Sequence, residues 1–101
     1  MVNKNKKLEQ YKQKILSIIE EILPQCKIIL FGSRARQTHD QGADIDIALD
    51  TGKPIDKHKL YMIKEMIEET TIPLMVDVVD LYSASDKFKK EVKIDGIIWK
   101  N

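Results

Sequence analysis

The sequence has little of several residue types that mark particular protein classes. Cys26 is the only cysteine among 101 residues, so no intrachain disulfide can form. Its neighbours are apolar, which predicts a small buried hydrophobe. Aromatic residues make up only 6% of the chain. The two histidines, His39 and His58, stand in polar stretches without metal-ligand spacing. A histidine metal cluster and a base-stacking platform therefore find little support.

Long apolar runs and a strong excess of one charge are also missing. No segment approaches the length of a membrane span, and no signal-peptide core follows the basic N-terminus. We therefore expect a cytoplasmic protein that does not contact membranes. Lysine and arginine total 17 against 16 aspartate and glutamate. That balance argues against binding nucleic acid directly by bulk charge. With 43% hydrophobic residues, we expect one small globular domain over residues 1–101.

The apolar periodicity predicts alternating helices and short strands. In order, the expected elements are a helix closed by Pro24, a strand over Cys26–Phe31, a brief helical turn over Ser33–Gln37, a strand over Ala43–Leu49, a helix capped by Asp56, a strand over Leu74–Leu81, a helix opened by Ser83 and Asp86, and an extended tail over Ile97–Trp99. This order indicates an α/β or α+β domain of two layers. One sheet face is covered by helices, and the other is expected to stay open.

Two aspartates two residues apart are the first candidates for chemistry. Asp44 and Asp46 alternate with Ala43, Ile45 and Ile47, so both carboxylates project from the open face of their strand. Adjacent anions repel one another unless a cation joins them, and oxygen ligands suit a hard ion such as Mg²⁺. The alternative is a solvated polar face on an edge strand.

A glycine and a serine follow the preceding strand. Gly32 lets backbone amides approach a phosphate closely, and the Ser33 hydroxyl adds a donor. Arg34 and Arg36 bring positive charge within reach of phosphate oxygens. The spacing is not that of a Walker-type loop.

Ten residues separate Ser33 from Asp44, and the segment FGSRARQTHDQGADIDIAL resembles a known signature. It is similar to the minimal nucleotidyltransferase family of the DNA polymerase β superfamily, in which Gly-Ser precedes Asp-x-Asp. The resemblance extends over nearly the whole chain. It implies the α+β polymerase β-like fold, with a small mixed sheet and an open catalytic face. Many relatives carry glycine at the position of Gln37 and a polar residue at that of Ala43, and neither position supplies a metal ligand.

The resemblance also implies roles for individual residues. Gly32 and Ser33 would hold the β and γ phosphates of a nucleoside triphosphate, with ATP as the expected donor. Asp44 and Asp46 would bind two Mg²⁺ ions. The third carboxylate of the family is expected at Asp77, in the segment MVDVVDL. The alternative, Asp80, faces the other side of an ideal strand.

A partner follows from the same resemblance. Stand-alone minimal domains often pair with a helical HEPN protein encoded beside them, in a toxin–antitoxin module. The nucleotidyltransferase is then the antitoxin and transfers AMP to a tyrosine of the HEPN toxin. Two alternatives stay open, a non-catalytic antitoxin that acts by occlusion and an enzyme that modifies a small-molecule hydroxyl. The sequence also leaves open the base preference, the identity of the acceptor, and whether the protein forms homomeric or heteromeric oligomers.

Overall fold

A four-stranded mixed sheet organises the chain. The computed structural model describes residues 4–101, so residues 1–3 of the expected domain lie outside the described residues. Its elements are α1 (Lys4–Ile22), β1 (Lys27–Phe31), α2 (Gly32–Arg36), β2 (Ile45–Asp50), α3 (Lys57–Glu68), β3 (Val76–Asp80), α4 (Asp86–Asp95) and β4 (Ile97–Lys100). The strand order is β3-β2-β1-β4. Strand β1 runs antiparallel to β2 and β4, whereas β2 and β3 are parallel. The predicted α+β class is confirmed.

Helices α1 and α3 cover one face of the sheet. Ile15 and Ile19 of α1 and Ile63 and Ile67 of α3 lie four residues apart, and this spacing places each pair on one side of its helix. They pack against alternate residues of the central strands, which are Ile28, Leu30, Ile45, Ile47 and Leu49. None of the described helices is long and apolar enough to cross a membrane.

The opposite face, which we expected to be open, is covered in part by α4. Ile29 of β1 and Ala48 of β2 form a second buried cluster with Leu81 and with Val92 of α4. The small Ala48 side chain is fully buried in this cluster. Helix α4 returns the chain from β3 to β4 across this face, and apolar side chains under it favour burial. Farther along this face, Asp46 is only partly buried and its neighbour Asp77 is exposed.

Of the two helix N-caps predicted from the sequence, that of α3 is confirmed and that of α4 is wrong. Asp56 caps α3 as predicted, because its carboxylate accepts hydrogen bonds from the amides two and three residues on. The cap of α4 is Ser85, whose Oγ accepts from the amide of Phe88 at 3.2 Å. The prediction of Ser83 was wrong, because its hydroxyl donates to Asp80 Oδ2 at 2.9 Å.

The expected extended tail is a fourth strand at the edge of the sheet. Strand β4 pairs with β1, and a bulge interrupts the register between Ile28 and Ile29. Trp99 packs against the main core, and Lys100 Nζ donates to the carbonyl of Pro24 at 2.8 Å. These contacts attach the strand to α1 as well as to β1.

Cys26 is buried as predicted. Its side chain is 1% exposed, and burial raises the pKa of the thiol to about 11. A thiol with so little thiolate at neutral pH is a weak nucleophile, so Cys26 serves as core packing.

Candidate active site

The turn from β1 into α2 brings the backbone against an acidic side chain. Gly32 begins α2 with φ +76°, a conformation that favours glycine. A Cβ at Gly32 would overlap Asp46 Oδ2 and lie 3.1 Å from Asp46 Cγ. Phe31, at the N-cap, supplies no side-chain hydrogen bond to the helix. The first amides of α2 therefore receive no cap from that residue and are suited to an anionic ligand.

The sheet places two carboxylates side by side. Asp46 of β2 and Asp77 of β3 are direct neighbours in the parallel register, and Asp44 immediately precedes β2. Burial raises the pKa of Asp46 above its ordinary value, and the charges of Asp77 and Asp44 raise it further. The guanidinium of Arg36 acts in the opposite direction. The charges of Asp44, Asp77 and Arg36 therefore all act on the ionisation of Asp46.

The donor set fits a hard cation. Asp44, Asp46 and Asp77 offer only carboxylate oxygens, which Mg²⁺ prefers, and their mutual repulsion is what a divalent ion would relieve. Within residues 4–101, no three His, Cys, Asp or Glu side chains form a ready-made metal cluster. The assignment of the three aspartates as metal ligands stays a prediction.

Asp80 serves a structural role at the far end of β3. Its carboxylate accepts hydrogen bonds from the amides of Ile55 and Tyr82, each at 3.1 Å, and from the Ser83 hydroxyl. Its partner in the register is Leu49, three residues beyond Asp46. The geometry therefore favours Asp77 over Asp80 as the neighbour of the aspartate pair.

Arg34 does not reach toward the phosphate-binding turn, and this corrects the sequence-based expectation. The residue is only 8% exposed. Its Nε and Nη2 donate to the carbonyl of Ala43 at 3.1 and 2.9 Å, and Nη2 also donates to the carbonyl of Gln41 at 3.2 Å. A buried guanidinium needs acceptors, and the loop before Asp44 provides them. Arg34 therefore joins α2 to the segment that carries the first aspartate.

Arg36, unlike Arg34, is exposed, and its role as a phosphate contact stays a prediction. Its side chain is about half exposed, and Nη1 lies 4.0 Å from Asp95 Oδ2. The next residue, Gln37, ends α2 with φ +59°, and its amide donates to the carbonyl of Arg34. Glycine adopts such a left-handed position without steric cost, so Gln37 is the less usual residue there.

A groove separates α2 from α4 beside this site. Its volume is about 390 Å³, and we call it the α2–α4 groove; it is lined by Phe31, Gly32, Arg36, Phe88, Glu91, Val92 and Asp95. The rings of Phe31 and Phe88 meet edge to face, with centroids 5.2 Å apart. Sequence reasoning did not single out Glu91 or Asp95, because they read as ordinary polar positions of an amphipathic helix.

A Gly-Ser turn against strand-borne carboxylates on a small mixed sheet is the architecture of a nucleotidyltransferase. The sequence model of the family described as Polymerase beta, Nucleotidyltransferase matches residues 5–100. The chain therefore belongs to the polymerase β nucleotidyltransferase family.

A curated relative gives a more specific comparison. The chain is 30% identical over 84 residues to the protein adenylyltransferase MntA of Shewanella oneidensis. The alignment covers 82% of this chain and 60% of that protein. The chain thus spans less than two thirds of the length of this relative.

Two solved structures share the fold. One is a toxin–antitoxin with AMP-PNP, at a TM-score of 0.74 and 28% identity, covering 87% of this chain and 71% of that one. The other is a tri-AMPylated HEPN toxin of Shewanella oneidensis in complex with its MNT antitoxin. There the TM-score is 0.70 and the identity 26%, covering 90% of this chain and 70% of that one.

Gly32→Ala tests the close approach of Asp46, with Gly52→Ala as the matched control. Both glycines have φ near +77°, but a Cβ at Gly52 would meet nothing within 4 Å. We expect each variant to lose about 1 kcal/mol in free energy of unfolding from backbone strain. Gly32→Ala should lose roughly 1–3 kcal/mol more from overlap with Asp46. Equal losses in urea denaturation would contradict the contact.

Arg34→Met and Arg36→Met, the same change two residues apart, distinguish the structural roles of the two arginines. Arg34→Met leaves the loop carbonyls without their donor, and we expect it to lower the free energy of unfolding by about 2–3 kcal/mol. Arg36→Met removes an exposed pair and should change it by no more than about 0.5 kcal/mol. Chemical denaturation measures both, and similar losses would refute the distinction.

Asp46→Asn should stabilise the metal-free protein at neutral pH. Because the folded pKa of Asp46 is raised, the folded state retains its proton more strongly than the unfolded state. Stability is therefore lost as pH rises through that folded pKa, and it stays lower at pH 7. We expect the variant to melt at a higher temperature at pH 7, by an amount that solvent screening of the partly exposed side chain keeps small, and to lose that advantage below the ordinary pKa of 3.8. Asp40→Asn, in an exposed loop, is the control, and an equal gain there would implicate overall charge instead.

Proposed function

We propose that this protein transfers AMP from ATP to a tyrosine hydroxyl of a HEPN-family partner in the cytoplasm and so acts as an antitoxin. The observation that carries the proposal is the contact of Gly32 with Asp46, which joins a phosphate-binding turn to a carboxylate whose neighbour in register is Asp77. The names of the MntA relative and of the AMPylated toxin complex support the choice of AMP and of a protein acceptor.

The phosphates of ATP bind at the start of α2. The amides of Gly32 and Ser33 and the Ser33 hydroxyl donate to the β and γ phosphates. Arg36 supplies the positive charge at this end of the site, because Arg34 is committed to the loop carbonyls. Positioning and charge neutralisation account for most of the catalysis in phosphoryl transfer.

The three aspartates hold the cofactor and the acceptor. Asp44, Asp46 and Asp77 would bind Mg²⁺, and we propose two ions. The bound metal would neutralise phosphate charge and lower the pKa of the acceptor hydroxyl. Asp77 is exposed at the edge strand, where an acceptor can reach it, and it takes the hydroxyl proton as general base. The hydroxyl oxygen bonds to the α phosphorus, and the bond to the bridging oxygen breaks with release of pyrophosphate.

Intact mass spectrometry of the purified HEPN partner tests the proposal. After incubation with this protein, ATP and Mg²⁺, we expect the partner to gain one or more AMP units. Asp44→Asn combined with Asp46→Asn should slow that gain by at least about a hundredfold, since both ligands on one strand are lost. Asp40→Asn, which removes an equal charge from the loop, should leave the rate within about twofold.

Two results would overturn the proposal. A stable complex without any mass gain would indicate an antitoxin that acts by occlusion. Undiminished transfer by the double variant would mean that the aspartate pair is not the metal site.

A further inference from the structure

The α2–α4 groove opens directly beside the proposed phosphate site, yet most of its lining has no role there. Phe88, Glu91 and Asp95 recur at spacings of three and four along α4, so they lie on the helix face that looks toward α2. Gly32 belongs to both the groove and the phosphate-binding turn. The groove therefore adjoins both the turn proposed to hold the phosphates and the aspartate that lies against it.

The charges of the groove specify which part of a nucleotide fits it. Arg36 stands on the α2 side, and Glu91 and Asp95 stand on the α4 side. Asp95 is already paired with Arg36 at 4.0 Å. A phosphate chain would be repelled by two carboxylates, whereas neutral N–H and O–H groups are good donors to them. The acidic wall thus suits the uncharged end of a nucleotide.

We propose that the α2–α4 groove is the nucleoside subsite, in which Glu91 and Asp95 accept hydrogen bonds from ribose hydroxyls and base N–H groups. The perpendicular rings of Phe31 and Phe88 offer apolar contact to the base. Its volume of about 390 Å³ lies within the range of small-ligand pockets, roughly 300–1,000 Å³. The inference rests on the proposed function. It assigns a binding site to the nucleoside half of ATP, which neither the aspartates nor the Gly32–Ser33 turn holds.

This division of the substrate has a measurable consequence. Glu91 contacts the nucleoside only, so its loss weakens a ligand that carries a nucleoside and spares one that consists of phosphates alone. Mg²⁺-tripolyphosphate is such a ligand, since it has the triphosphate of ATP without base or ribose. A general loss of structure would weaken both ligands.

Calorimetric titration of the full chain with Mg²⁺-ATP and with Mg²⁺-tripolyphosphate makes the test. We expect Glu91→Leu to raise the Kd for ATP about tenfold, as for one lost charge-assisted hydrogen bond, and to leave the Kd for tripolyphosphate unchanged within about twofold. Glu68→Leu, on the exposed side of α3 across the sheet, is the matched control and should alter neither. Thermal melting verifies that both variants fold.

Two other outcomes would contradict the proposed nucleoside subsite. An unchanged ATP affinity in Glu91→Leu overturns it, and so does an equal loss for ATP and tripolyphosphate. If the wild-type protein still transfers AMP in that case, the proposed function stands and only the subsite fails. If the wild-type protein binds neither ligand, both proposals fail.

Discussion

The antiparallel pairing of β1 with β2 sets Phe31 opposite Asp46, and in consequence the Asp46 carboxylate rests against the α-carbon of Gly32. The remaining parts of the site depend on this contact. It favours glycine at the start of α2, because φ is positive there and a Cβ would make the Asp46 carboxylate shift. It also holds the phosphate-binding turn next to the strand that carries the aspartates. The same strand then pairs with β3 and so brings Asp77 into register.

This arrangement lowers stability at the point of function. Asp46 is desolvated and lies among like charges, so its ionised form is disfavoured in the fold. The structure offsets that strain nearby, since buried Arg34 donates to two loop carbonyls just before Asp44 and secures the loop. One arginine of the motif therefore supports the scaffold, and the other, Arg36, stays exposed beside Asp95. A cation bound by the aspartates would remove the repulsion, which links metal binding to stability.

Helix α4 completes the site by covering part of the sheet face that also bears the aspartates. Its Val92 packs over Ile29 and Ala48, and this second core holds α4 against the sheet. The groove between the two helices is thus a result of packing. Because α4 is the next element after β3, the strand that carries Asp77 also leads into one wall of the groove.

The sequence by itself determined the local part of the protein: the helices and strands, the two aspartates on one strand face, and the Gly-Ser turn ahead of them. Period-two alternation and the conformational freedom of glycine act over a few residues, so they can be read directly. Tertiary structure alone decided the direction of Arg34, the register that sets Phe31 opposite Asp46, and the helix on the second face. These depend on strand register and on burial between segments that are distant in sequence, and no local pattern encodes them.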